Sequence, residues 1–439
     1  MRRIWGWYFF DWASQPYNTL LITFIFAPYM TRIIGDGAMA QSVWGLGLGL
    51  TGILIALAAP VLGTIADRAG GHMRFILLFS VLYVAGAWGL WWSAPGDFSI
   101  WWVMLSFSIG MIGMEFATTF TNALMPGLAA REDMGRLSGS GWAFGYVGGV
   151  VALIFVLLLL QEGPEGRTLL GIAPIFGLDA AAAEGTRAVG PFTAIWYAVF
   201  MIPFFLWVRV PHVRGIPVRR AARQAWPELR AHLRELPKRR SFAAFLGASM
   251  LYRDALNGIY AFGGIYAAGV LGWQVRDVGI FGILAAVTGA IFAWLGGRAD
   301  SRYGSMPVIV FCTALLALLA AGVVGVSRGS VFGMAVAEGS RLPDIAFYAI
   351  GALIGAAGGA LQAASRTMLL WQSDPARLTE SFGLYALAGK ATSFLAPLLV
   401  GIVTAISGSQ RVGVVPVIVL FLLGLLLLLW VKPKGEQAP

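Results

Sequence analysis

The stretch Gly63-Thr64-Ile65-Ala66-Asp67-Arg68-Ala69-Gly70-Gly71-His72-Met73-Arg74 closes one apolar run and opens the next. Its charged residues sit in a turn too short for anything but a tight hairpin between two helices. A second copy reads Gly296-Gly297-Arg298-Ala299-Asp300-Ser301-Arg302-Tyr303-Gly304. Asp67 and Asp300 are separated by about half of the 439 residues, so the repeat divides the chain into two similar halves.

Composition sets the environment of these halves. The chain is 58% hydrophobic and 12% charged, with mean hydropathy +0.77. Soluble domains are about 25% charged, so this balance belongs to a membrane protein. Bilayer-spanning helices need about 20 mostly apolar residues. Twelve such runs are present, near 5–30, 42–66, 73–93, 100–125, 138–161, 191–210, 242–270, 275–297, 305–326, 344–370, 379–406 and 412–431. They are too long for barrel strands and lack period-2 alternation. The expected fold is therefore all-α and integral to the membrane. Its twelve transmembrane helices form two pseudo-symmetric six-helix halves, 1–211 and 241–439, joined by a basic cytoplasmic linker, 212–240.

With the N-terminus inside, the inner loops and ends carry 21 Lys/Arg and the outer loops seven. This bias follows the positive-inside rule and places both termini and both motif copies in the cytoplasm. The net charge of +10 thus reflects lipid and topology, not nucleic acid. Arg2-Arg3 leads into an apolar run too long for a signal peptide, so that run is expected to remain as the first span. The lone Cys312 excludes an internal disulfide or a cysteine-based metal site, and His72, His212 and His232 fall in loops without ligand-like neighbours. No metal or cofactor is implied.

Two spans are rich in glycine. Gly45, Gly47, Gly49 and Gly52 mark the second, and Gly139, Gly141, Gly145, Gly148 and Gly149 the fifth. Small residues let helix backbones approach closely in lipid. No strand precedes these strings, which excludes a nucleotide-binding loop.

Ionisable residues inside spans are expensive and mark functional sites. Asp11, Gln15 and Asn18 lie at i, i+4 and i+7 on the first span. Glu115, Thr119 and Asn122 repeat that spacing on the fourth, and Arg253, Asn257 and Tyr260 on the seventh, beside Asp254. Gln362 and Arg366 are four apart on the tenth. One polar stripe on every third helix is the internal symmetry of a carrier built from nested repeats around a midplane site. Pro16 bends the first span and frees a backbone carbonyl there. Tyr385 and Lys390 on the eleventh span are expected to reach the same cavity.

Twelve spans, two halves, a long basic middle loop and the duplicated motif resemble the major facilitator superfamily over the whole chain. In this sequence the basic end of the first motif reads His72-Met73-Arg74, and the second motif has Ser301 between Asp300 and Arg302. Asp11-Trp12-Ala13-Ser14, Asn122-Ala123-Leu124-Met125-Pro126 and Ser138-Gly139-Ser140-Gly141-Trp142 with Gly145-Tyr146 are similar to one branch. So is Phe382-Gly383-Leu384-Tyr385 with Gly389-Lys390. That branch holds the vacuolar amino-acid effluxers of fungal autophagy and their bacterial relatives.

The resemblance implies alternating access by rocking of the halves in a bacterial inner membrane, acting as a monomer on a small molecule with protons and lipids as partners. Gly63, Asp67, Arg68, Arg74, Asp300 and Arg302 are the expected gating residues. Asp67 would accept bonds from a neighbouring helix N-terminus, where the dipole favours an anion. Asp11, Glu115 and Asp254 are candidates for proton coupling. The substrate set is Gln15, Asn18, Thr119, Asn122, Arg253, Asn257, Tyr260, Gln362, Arg366, Tyr385 and Lys390. Acids and bases in one cavity suit a zwitterion such as an amino acid, or a charged metabolite. A lipid or drug exporter would need a larger, more apolar cavity. An intramembrane enzyme would need a nucleophile-base pair or metal cluster that these spans lack, and a sensor would not need the cavity charges.

Overall fold

The computed structural model describes residues 1–69, 72–124, 127–128, 134–163, 165–209, 238–373, 384–385, 388–389 and 392–435, with the side chains of 56, 59–61, 63–69, 123, 134–136, 138–139 and 301 outside that description. The linker expected at 212–240 lies almost wholly outside the described residues, as does Lys390.

Among the described residues nine helices are long and apolar enough to cross a membrane. They coincide with nine of the twelve expected spans. The first, seventh and eleventh depart from the simple pattern, each for a visible reason.

The first span is not one helix. Helix α1 (Arg2–Pro16) passes into a π-helical segment, Tyr17–Phe24, and then, across Ile25, into α2 (Phe26–Ile34). Pro16 has no N–H to donate to a ladder, and the ladder changes register immediately after it. The seventh span, α10 (Arg240–Leu271), is long but diluted by Arg253, Asp254 and Asn257. The eleventh is described as α14 (Leu395–Ser407), a shorter apolar helix.

The others are α3 (Gly37–Ala69), α4 (His72–Gly89), α5 (Ile100–Ala123), α6 (Met134–Phe155), α11 (Val275–Tyr303), α12 (Ser305–Val324), α13 (Leu342–Gln372) and α16 (Val415–Leu428). The sixth span consists of α7 (Glu184–Arg187), α8 (Val189–Phe200) and α9 (Ile202–Trp207). A short α15 (Gln410–Gly413) precedes α16. The fold is all-α as expected, with one short addition. Residues 326–335 form a small antiparallel meander, β1 (Val326–Ser327), β2 (Ser330–Val331) and β3 (Met334–Ala335). Strands of two residues carry no period-2 signal, so the sequence pattern cannot reveal them.

Helix packing repeats six spans apart. α3 lies on α5 as α11 lies on α13; α4 lies on α5 and α8 as α12 lies on α13 and α16. Among the contacts between the two halves are α3 with α14 and α6 with α11. Exchanging the halves turns either of these pairs into the other.

Glycine makes the close crossings possible. A Cβ on Gly45 would stand 2.8 Å from Gly401 Cα, one on Gly52 2.8 Å from Phe394, and one on Gly86 would collide with Gly110 N. These approaches leave no room for a side chain, as expected where lipid supplies no hydrophobic drive between helices. Aromatic hydroxyls and indoles pin the first span. Trp7 Nε1 donates to Thr121 O at 3.0 Å, Tyr17 to Phe107 O at 2.7 Å and Tyr29 to Ser93 O at 2.6 Å.

The bundle has two distinct ends. One carries the repeated hairpin motif, here called the motif end. The other, the loop end, carries residues 161–188 and the meander. At the loop end Glu162 accepts from Thr186 N at 2.9 Å and Thr186 Oγ1 at 2.8 Å, and pairs with Arg32 at 3.4 Å. Arg328 pairs there with Asp344 at 2.9 Å. The halves also meet at this end through amides. Gln41 Nε2 donates to Thr404 Oγ1 at 2.7 Å and to Gln410 O at 3.4 Å. Gln410 Nε2 donates to Gln41 Oε1 at 3.2 Å and Ile265 O at 3.3 Å. Gln41 and Thr404 are fully buried and Gln410 nearly so.

Candidate transport site

Asp11 is set by the glycine face of α6. A Cβ on Gly141 would lie 2.6 Å from Asp11 Oδ2 and from the Trp7 ring, and one on Gly145 3.2 Å from Asp11 Cβ. One turn further, Gly148 meets Trp12 and Gly149 meets Gln15. The glycines that close the α1–α6 crossing thereby press the carboxylate into the bundle.

The adjoining face of α6 presents Trp142 and Tyr146, one turn apart and in ring contact at 5.7 Å. The Arg366 guanidinium of α13 lies over the Trp142 ring at 5.0 Å and attracts the Asp11 carboxylate. The Tyr146 hydroxyl accepts from Gln362 Nε2 at 3.3 Å and is hydrogen-bonded to Tyr260 of α10. Tyr260 fits because Gly358 has no side chain; a Cβ there would collide with its hydroxyl.

Arg253 forms the third side. Its guanidinium stacks over the Tyr385 ring at 4.5 Å, and Gly389 lies so close that a Cβ would be 2.7 Å from Nη1. That Nη1 is buried without a hydrogen-bond partner among the described residues. Asp254, next in the chain, turns elsewhere: its Oδ2 accepts from Ala396 N at 2.7 Å in the first turn of α14, and its Oδ1 is buried with no partner among the described residues.

The structure thus brings together Asp11, Arg253, Tyr260, Gln362, Arg366 and Tyr385 of the sequence-derived set. Other members stand differently. Thr119 donates to the Glu115 carbonyl of its own helix at 2.8 Å. Glu115, Gln15 and Asn18 are half-buried, whereas Asn122 and Asn257 are exposed. Asp300 accepts from Ser305 Oγ at 2.6 Å across the turn at Gly304, whose φ of +86° suits glycine. Arg302 is exposed beside the Tyr303 ring at 5.4 Å, and Arg74 is exposed. Gly63, Asp67 and Arg68 lie in α3, with their side chains outside the described residues.

Trp142 and Tyr146 are site residues that the polar stripes do not include. Their signal in the sequence is an i, i+4 aromatic pair on a helix whose glycines mark it as closely packed. Beside the polar cluster lies a small apolar cavity of about 40 Å³, lined by Phe24, Tyr266, Phe281, Phe347 and Ile350. Tyr260 borders both.

A helical bundle with paired packing and a charged centre defines a secondary transporter of the major facilitator type, an integral multi-pass membrane protein. A D-xylose-proton symporter superposes on it with a TM-score of 0.70, at 14% identity over 100% of this chain and 98% of its own. The nucleoside transporter NupG superposes at 0.63, with 13% identity over 98% of both chains. Residues 130–437 match the family described as "Vacuole effluxer Atg22 like", and the chain belongs to that family. It is 23% identical to the uncharacterized MFS-type transporter YxiO of Bacillus subtilis, over 98% of this chain and 94% of that one. It is 25% identical to autophagy-related protein 22-1 of Aspergillus niger, over 69% of this chain and 48% of the fungal protein. The chain therefore spans only about half of that fungal relative's length.

Proposed function

We propose that this protein moves a small zwitterion, in the simplest case an amino acid, across a bacterial inner membrane by proton-coupled alternating access. The observation that carries the reading is the cluster of Asp11, Arg253 and Arg366 between helices of the two halves. Arginine suits a carboxylate because its planar fork matches two oxygens. Asp11 suits an ammonium group or a proton, and its attraction to Arg366 lets one substrate engage both charges. The name of the family supports efflux as the direction. The loop end would face outward and both termini the cytoplasm. The molecule would act as a monomer, with 1–211 and 241–439 as its moving halves. Glu115 and Asp254 remain further proton-coupling candidates, and the two motif copies the gates.

The test is thermal stability of the purified protein against amino acids, dipeptides, organic acids, sugars and lysolipids. A ligand that binds only the folded state raises the melting temperature. Stabilisation by amino acids, lost in Arg366→Ala and Asp11→Asn and followed by pH-gradient-driven uptake into proteoliposomes, is the expected result. The apolar lining beside the polar cluster is the observation behind a second reading, export of an amphiphile. Stabilisation by lysolipids alone would select it and reject the first.

A further inference from the structure

We infer that the site discriminates for substrates bearing a second carboxylate, and that Arg253 is the residue that does so. The inference rests on the amino-acid reading above and narrows it.

Among the described charged groups, Asp11 attracts Arg366 and Arg253 repels it. Asp11 and Arg366 answer one another, and a simple zwitterion replaces that exchange with an equivalent one, carboxylate to Arg366 and ammonium to Asp11. Arg253 is then left over. The acid nearest to it in sequence does not serve it, because one residue along a helix is a rotation of about 100°. That rotation takes Asp254 to the α14 amide at Ala396. What Arg253 has is an aromatic ring on one face, a glycine backbone against its edge and a buried Nη1 unpaired among the described residues.

An unmet buried donor on a charged group is costly, and a ligand oxygen recovers the loss. Tyr385 contributes the stacking that keeps the guanidinium plane fixed, and Gly389 lets the chain approach its edge. A guanidinium held this way with a donor to spare is a receptor for an anion. Basic amino acids are disfavoured, because they would add positive charge beside two arginines.

Glutamate and glutamine provide the test, since they are near-isosteric and differ in side-chain charge. Dissociation constants of both, and of glutarate, are measured by calorimetry on the purified full-length protein, its Arg253→Gln variant and its Arg253→Lys variant. The parent should bind glutamate at least about tenfold more tightly than glutamine. Arg253→Gln should bring that ratio to about one, by weakening glutamate more than glutamine. Arg253→Lys keeps the charge but loses the fork, and should fall between. If Arg253→Gln does not fold, a glutamate-selective loss in Arg253→Lys supports the inference in its place.

Equal or tighter binding of glutamine by the parent overturns the inference while leaving amino-acid transport standing. So does a ratio that survives both substitutions. Binding of glutarate but of neither amino acid, lost in Arg253→Gln, keeps the anion receptor and removes the amino-acid reading. Binding of none of the three overturns the inference.

Discussion

Gln41→Ala should make the loop end open more often. The Gln41 side chain makes three bonds across the seam between the halves: to Thr404 Oγ1 at 2.7 Å, to Gln410 O at 3.4 Å and from Gln410 Nε2 at 3.2 Å. The first has full-strength geometry and contributes about 1 kcal/mol net; the two longer ones together contribute about another 1 kcal/mol. All three join α3 of one half to the α14–α15 region of the other, so they exist only while this end is shut. Losing about 2 kcal/mol shifts the closed-to-open ratio by about 30-fold. The reporter is a cysteine at Ala40, which is fully buried beside the amide pair, in a Cys312→Ser background. Labelling by a membrane-impermeant maleimide from the loop end should accelerate by about 30-fold in Gln41→Ala and by about fivefold in Thr404→Val, which removes one bond. Labelling within about twofold of the parent, at an unchanged melting temperature, would refute the view that these amides hold the end closed.

Gly141→Ala places a methyl 2.6 Å from Asp11 Oδ2, so transport should fall by at least about tenfold in proteoliposome flux, a loss of about 1.4 kcal/mol or more. Tyr146→Phe removes the hydroxyl that joins Gln362 and Tyr260, and should raise KM about fivefold in counterflow with maximal rate little changed. Burial pushes the Glu162 carboxyl above its ordinary value of 4.5. Below that value both folded and unfolded chains hold the proton; above it the unfolded chain releases it first, so stability declines as pH rises towards the folded pKa. Melting curves of the parent should therefore lose stability relative to Glu162→Gln as pH is raised from 4.5, and parallel curves would contradict this. Asp300→Ala and Ser305→Ala should each lower stability by about 1 kcal/mol in denaturant titrations, and together no more than one alone, because they share a single bond.

The parts of this protein legible in its sequence are those written as long periodic signals. Apolar length alone locates spans such as 305–326, where α12 runs from Ser305 to Val324. Glycine spacing marks both close crossings, because only the absence of a Cβ at Gly45 and Gly141 permits them. The stripe of Asp11, Gln15 and Asn18 is visible as i, i+4, i+7, but its continuity is not. The π-helical ladder that begins at Tyr17 shifts Asn18 relative to Asp11, and helical spacing presumes a constant turn. Asp254 shows a second limit. Adjacency to Arg253 suggests an ion pair, whereas a free amide on α14, distant in sequence, takes the carboxylate. Gln41 and Gln410 give no signal because both sit beside the ends of apolar runs, where polar residues are ordinary, and only the fold makes them neighbours. Trp142 and Tyr146 read as packing until Arg366 and Gln362 are brought over them.

The interrupted first span divides its loyalties. Asp11 and Trp12 belong to the α6 face, while beyond the break Thr23 O lies against Gly264 and Phe24 against Gly282, both in the other half. A π-helical stretch amounts to one residue more than an α-helical ladder accommodates. Deleting a single residue between Tyr17 and Phe24 would restore the ordinary ladder and turn one end against the other by about 100°. Either Asp11 would leave its glycine bed or Phe24 would leave its own. The surplus residue is therefore a phase shifter. It lets a single strand of chain be in register with two bodies at once, and it ties the angular setting of the charged centre to the seal at the loop end.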